Sequence, residues 1–70
     1  MQIYKNLGGN SNIRAYSMGN DYIDVQFNRG AVYRYSYASA GTEKVEKMKS
    51  FAIQGIVLNS YIMRYARMNY

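Results

Sequence analysis

The chain has 70 residues, a formal net charge of +5 and nine tyrosines, and it contains neither cysteine nor histidine. A single domain of this length buries only about 60% of the surface of its unfolded chain. The composition excludes disulfides, metal sites built from Cys or His, and nucleophilic enzymes that need either residue, whereas the positive charge suits a polyanionic partner.

The single domain spans residues 1–70, and we expect residues 1–12 to form a flexible or edge segment of it. The first nine residues lack the apolar core of a signal peptide. Residues 8–12 combine Gly, Asn and Ser, which is typical of a loop. No run approaches the ~20 apolar residues of a membrane span. We therefore expect a cytoplasmic protein that makes no membrane contact.

Three strands are predicted next, at 13–18, 22–27 and 31–37. In the second of them Ile23, Val25 and Phe27 alternate with polar side chains, as in a strand with one buried face. The turns at 19–21 and 28–30 are short and rich in Gly and Asn, and short turns join antiparallel neighbours. The three strands should form an antiparallel meander.

Two short helices are predicted after the strands. Thr42 is expected to N-cap the first helix and Gly55 to interrupt it, and a second helix should begin near Ile56 or Val57. Apolar residues recur at helical spacing, at Val45, Met48, Phe51 and Ala52 and then at Leu58, Tyr61, Ile62 and Tyr65. The predicted fold class is α+β, with a three-stranded antiparallel β-meander followed by two short helices packed on one face of the sheet.

The length of the second turn decides which face the tyrosines of the third strand occupy, because a one-residue slip reverses every side chain. A two-residue turn would place Arg34 unpaired on the apolar face, which is costly. A three-residue turn instead sets Arg34 opposite Asp24, puts Tyr33 and Tyr35 on the helix-covered face, and gives Gly30 the left-handed position. We predict the three-residue turn.

A three-residue first turn likewise places Ile13, Ala15 and Ser17 on the covered face. The opposite side of the sheet, called the outer face, then holds an aromatic and basic set consisting of Arg14, Tyr16, Tyr22 and Arg34. Bases stack on aromatic rings and arginines contact phosphates in single-strand binders. We predict a ligand site there, extended by Arg64 and Arg67. The alternatives are that residues 1–7 or a second copy of the protein cover this face, or that it is simply solvated.

Catalysis is not expected. The carboxylates belong to only four residues, Asp21, Asp24, Glu43 and Glu46. Asp24 should pair with Arg34, and the two glutamates lie in the first turns of a helix. Because none of them forms an acid–base dyad, we expect neither an enzyme nor a bound cofactor.

Several short motifs occur in an order and spacing typical of a known family. They are Ser11-Asn12-Ile13, the strand at 23–27, Gly30, Tyr33-Arg34-Tyr35 and the segment 55–62. Over residues 12–70 the chain resembles the KTSC domain, found at the C-terminus of some lysyl-tRNA synthetases and as stand-alone bacterial and phage proteins. The family usually has Val-Pro before its first helix and Ser-Lys before the closing glycine, and this chain has neither.

The resemblance implies two kinds of function. The synthetase context suggests RNA binding, so the first hypothesis is a non-enzymatic module that binds RNA, single-stranded nucleic acid or a nucleotide. A phage-type protein would instead inhibit a host protein or sequester a nucleotide immune signal. This second hypothesis, a protein-interaction module or homo-oligomer, is also motivated by the small core and by Met18, Tyr22 and Val32, which we expect to be exposed.

Overall fold

The computed structural model describes residues 1–9 and 11–70. Four strands form its sheet, namely β1 (Gln2–Ile3), β2 (Ile13–Met18), β3 (Tyr22–Phe27) and β4 (Val32–Ser36). They are antiparallel and lie in the order β1-β2-β3-β4. Of the loop predicted at 8–12, Asn10 lies outside the described residues.

The helices all follow the sheet. They are α1 (Tyr37–Ala40), α2 (Thr42–Gln54) and α3 (Leu58–Tyr61), and α3 continues as a π-helical segment (Ile62–Ala66). The predicted α+β class is therefore confirmed. No helix in residues 1–9 and 11–70 is both long and apolar enough to cross a membrane.

The sheet has four strands instead of the predicted three because the N-terminal segment pairs with β2. Ile3 lies opposite Ala15, and the Tyr4 N–H donates to the Arg14 carbonyl at 3.0 Å. Tyr4 is buried, and its hydroxyl accepts a hydrogen bond from the Leu58 N–H at 3.4 Å. Burial raises the pKa of Tyr4, while this hydrogen bond acts in the opposite direction. Residues 2–4 thus form a sheet edge that is tied to the start of α3.

The core lies between the helices and the covered face of the sheet. Its fully buried side chains come from both layers: Ile23, Val25, Tyr35, Val45, Met48, Ala52, Leu58, Ile62 and Ala66. The predicted stripe of the second helix is wrong at Tyr65, which is exposed, and Tyr61 is only partly buried. The segment after Tyr61 is π-helical and turns less per residue than an α-helix. Its buried stripe therefore advances in steps of four residues, and Tyr65 is rotated outward.

The predicted N-cap of the first helix, Thr42, is wrong, whereas the other predicted helix boundaries agree with the structure. Thr42 is the first residue of α2 and not its N-cap, because the unpredicted helix α1 leaves only Gly41 as a connection. Gly55 ends α2 in the left-handed conformation, as predicted. Val57 is also left-handed, with φ of 68°, and the second helix begins directly after it.

The predicted register of β3 and β4 is confirmed. Arg34 lies opposite Asp24, and Tyr35 lies opposite Ile23. Gly30 has a φ of +97°, and the Phe27 N–H donates to the Ala31 carbonyl at 2.9 Å, which closes the three-residue turn.

The predicted register of β2 and β3 is wrong by one residue. The Gly19 N–H donates to the Tyr22 carbonyl at 3.1 Å, so the turn has two residues and Tyr16 lies opposite Val25. A bulge between Ile13 and Ala15 restores the predicted pairing at the start of β2. Tyr16 therefore belongs to the core and is 8% exposed. Burying its ring removes more apolar area from water than burying Ala15 and Ser17 on that face would.

Candidate functional site

The outer face holds only part of the predicted ligand site. Tyr22 and Arg34 lie there as predicted, whereas Tyr16 is on the covered face. Arg14 is exposed and occupies the β-bulge of β2. The prediction that Tyr16 forms part of an outer ligand site is therefore wrong, because the shorter turn reverses its direction.

Arg34 is already engaged on this face. Its Nε donates to Asp24 Oδ1 at 2.8 Å and its second terminal nitrogen donates to Asp24 Oδ2 at 3.0 Å. Its guanidinium carbon also lies 3.9 Å from the centre of the Tyr22 ring. The hydrogen bond to Asp24 raises the pKa of Arg34. Because the pair is neutral overall and covers the Tyr22 ring, the outer face is a weak site for an anion.

Arg64 and Arg67 lie on different sides of the C-terminal helix. Arg67 lines a cleft beside the β3–β4 hairpin, and Arg64 lines a groove between α2 and α3. The two arginines therefore do not extend the outer face. They belong to two separate concave surfaces.

The first surface is a cleft of about 410 Å³ between the hairpin and the C-terminal residues. We call it the tyrosine–arginine cleft. Its side chains come from the residue before β2, from the β3–β4 hairpin, from α3 and from the chain after α3. They include Asn12, Phe27, Arg29, Tyr33, Asn59, Arg67 and Tyr70. Six of these seven residues, all except Arg67, were not part of the predicted site, since the predicted surface lay on the other side of the sheet.

Aromatic rings form one wall of the cleft. The centre of the Tyr33 ring lies 5.7 Å from that of Phe27 and 4.7 Å from that of Tyr70. Tyr33 is on the helix-covered face, as predicted, but it is 37% exposed, so the prediction that it is a core residue is wrong. Tyr70 is 54% exposed. Two tyrosine rings in mutual contact are thus accessible from solvent.

Tyr35 forms the inner limit of the same cluster. Its ring meets that of Tyr70 edge to face, with centres 6.4 Å apart. Burial, followed by the nearby Tyr33 and Tyr70 hydroxyls, raises the pKa of Tyr35 to about 12. Tyr35 is therefore neutral at physiological pH and serves as a core residue, in agreement with the sequence prediction.

Two exposed cations, Arg29 and Arg67, complete the cleft. Neither forms an ion pair within the described part of the chain, where the pairs are Arg34 with Asp24 and Lys49 with Glu46. None of the four acidic residues lines the cleft. The cleft therefore combines exposed rings with positive charge that no carboxylate neutralises.

The second surface, called the helix groove, has the same volume of about 410 Å³. A row of rings lines it, with the centre of the Tyr61 ring 5.3 Å from that of Phe51 and 5.0 Å from that of Tyr65. Lys47 and Arg64 stand beside these rings. The groove thus repeats the chemistry of the tyrosine–arginine cleft on the other side of α3.

The sequence prediction named Arg64 and Arg67 as candidate site residues, although as extensions of the outer face, and it did not name Arg29 or Tyr70. Arg29 lies in a predicted turn, where an arginine is ordinary. Tyr70 is separated from its partner Tyr33 by most of the helical half of the chain, so no local pattern connects them.

Family models, curated proteins and solved structures give no match to this chain.

Proposed function

We propose that the protein is a non-enzymatic module that binds RNA, or another single-stranded nucleic acid, through the tyrosine–arginine cleft. The observation that carries the proposal is the exposed contact between Tyr33 and Tyr70 beside Arg29 and Arg67, two cations without an ion pair in the described part of the chain. Base stacking on an aromatic side chain is worth about 1–3 kcal/mol per base. Arginines add contacts to phosphate.

The polar residues of the cleft support a nucleotide ligand over a simple anion. Asn12 and Asn59 line the same space as the rings. An amide side chain carries both donors and an acceptor, which match the edges of bases. A ligand in the cleft would stack a base on Tyr33 and Tyr70 and place a phosphate near Arg29 or Arg67.

We also propose that the chain is a KTSC domain. The Tyr33-Arg34-Tyr35 motif of the resemblance forms β4, where Tyr35 is buried and Arg34 faces the opposite side. The closing segment 55–62 contains Gly55 at the end of α2 and Leu58 and Ile62 in the core. The residues that carry the resemblance therefore have clear structural roles, and RNA binding agrees with the synthetase context of the family.

The alternative of a protein-binding or self-associating module has less support. It was motivated by Met18, Tyr22 and Val32 as exposed apolar residues of the outer face. Met18 and Val32 are exposed but lie on opposite faces of the sheet, and Arg34 covers the Tyr22 ring. These residues do not form one apolar patch, so we favour the nucleic-acid ligand.

Fluorescence anisotropy with a labelled single-stranded RNA tests the proposal. Arg67→Ala and Arg34→Ala remove the same charge, one from the cleft and one from the outer face. We expect Arg67→Ala to weaken binding by about tenfold or more, since a hydrogen bond to a charged group contributes about 1.5–3 kcal/mol, and Arg34→Ala to change it much less. Contact of both cleft arginines with phosphate predicts that log K falls with log salt at a slope of about −1.4.

Two results would contradict the proposal. One is the absence of RNA binding at low salt. The other is a loss of affinity in Arg34→Ala that equals or exceeds the loss in Arg67→Ala. That result would mean that RNA binds at the outer face, or that it is attracted non-specifically by the net positive charge.

A further inference from the structure

We propose that the ligand is a strand of several nucleotides that runs from the tyrosine–arginine cleft over the C-terminal helix into the helix groove. The inference rests on the proposed function, and it specifies the class of ligand as an oligonucleotide and not a lone nucleotide. Two aromatic and basic surfaces stand on either side of one helix, and each offers its own rings.

The helix between the two surfaces is positioned by its buried stripe. Leu58, Ile62 and Ala66 are fully buried, so the residues between them are turned outward or sideways. Arg67 lies on the side of the cleft, whereas Tyr65 lies on the side of the groove. The exposed side of this helix thus forms a ridge that a strand must cross to occupy both surfaces.

Two arginines span this ridge. Arg64 lines the groove and Arg67 lines the cleft, and both are exposed. Arg67 directly follows the π-helical segment that contains Arg64, so one guanidinium group is available to a phosphate on each side of the ridge. Neither forms an ion pair in the described residues, which leaves all their donors available to phosphate.

The rings of the groove are suited to a second base. Tyr65 is 54% exposed, and its ring continues the row formed by Phe51 and Tyr61. Lys47 adds a cation on the α2 side. No acidic residue lines either surface among the described residues. The charged residues that line the two surfaces are therefore all basic, namely Arg29 and Arg67 in the cleft and Arg64 and Lys47 in the groove, and each surface has its own rings.

The test compares adenosine monophosphate with single-stranded oligoadenylates of increasing length, from dinucleotide to octanucleotide, by calorimetry or anisotropy. The inference predicts that affinity rises with length until both surfaces are filled. Tyr65→Ala should lower affinity for the octanucleotide by about tenfold or more and lower affinity for the monophosphate and the dinucleotide by a clearly smaller factor. Tyr33→Ala should weaken binding of every ligand in the series.

Tyr65→Phe is the matched control. Because it keeps the aromatic ring, it should bind the octanucleotide almost as tightly as the wild type does. The strand path is overturned if the octanucleotide binds no more tightly than the dinucleotide, or if Tyr65→Ala binds it like the wild type while Tyr33→Ala does not. A different result, in which Tyr33→Ala has no effect on any of these ligands, would overturn the proposed function itself.

Discussion

The ring of Tyr70 packs against the ring of Tyr33, with their centres 4.7 Å apart and their planes at 45°. This contact joins the C-terminal residues to the edge strand of the sheet. A hydrogen bond also holds the C-terminal residues in place, since Lys44 Nζ donates to Asn69 Oδ1 at 3.0 Å. The aromatic wall of the cleft is thus assembled within the fold before any ligand binds, which lowers the entropic cost of binding.

Tyr70→Ala is expected to weaken RNA binding with little effect on stability. The ring is more than half exposed, so its removal costs little burial, while the loss of one stacking surface is worth about 1–3 kcal/mol of binding free energy. Anisotropy titrations and thermal unfolding measure the two effects. Tyr70→Phe should bind almost like the wild type, and equal binding by Tyr70→Ala and the wild type would show that this ring is not part of the site.

The free energy of unfolding should fall as the pH rises from about 10 toward 12. The pKa of buried Tyr35 is raised to about 12 from the ordinary value of 10.0, so the unfolded chain loses this proton first and alkaline pH favours unfolding. One such group contributes a slope of at most about 1.4 kcal/mol per pH unit. Denaturation curves at several alkaline pH values would show a smaller slope for Tyr35→Phe, and identical slopes would contradict the assignment.

Val57→Gly should stabilise the protein by about 1 kcal/mol. A β-branched residue with φ of 68° is strained, and a left-handed conformation costs an L-residue about 1–2 kcal/mol, which glycine avoids. The Val57 side chain is half exposed and loses little packing. Chemical denaturation measures the change. Ile56→Gly is the control and should be destabilising, because Ile56 has no positive φ to relieve.

Gly19→Ala should destabilise the protein by about 1–3 kcal/mol, the usual cost of forcing an extra group into a packed site. A Cβ at Gly19 would lie 2.0 Å from Cε2 of Tyr22, whose ring covers the glycine across the hairpin. The ring would have to move and would lose its contact with Arg34. Gly8→Ala is the comparison, since a Cβ there has no neighbour within 4 Å. Equal stability of the two variants would contradict the packing argument.

Much of the fold follows from local pattern and charge. The alternation of β3 and the cost of burying Arg34 determine the β3–β4 register, because only one register pairs Arg34 with Asp24. Gly30 and Gly55 mark a turn and a helix end at which the backbone is left-handed. Among the candidate site residues, Arg64 and Arg67 could be recognised from the sequence as exposed basic residues near the C-terminus.

Tertiary packing decided the rest. Both registers of β2 put acceptable residues on the covered face, and the observed register is the one that buries the ring of Tyr16 in the core. The two residues of β1 are too few to show a pattern. The contact of Tyr33 with Tyr70 joins residues far apart in the chain. Sequence alone therefore determined the β3–β4 register and the left-handed glycines, whereas the fold decided which tyrosine rings are buried and which are exposed, because burial depends on contacts between elements far apart in the chain.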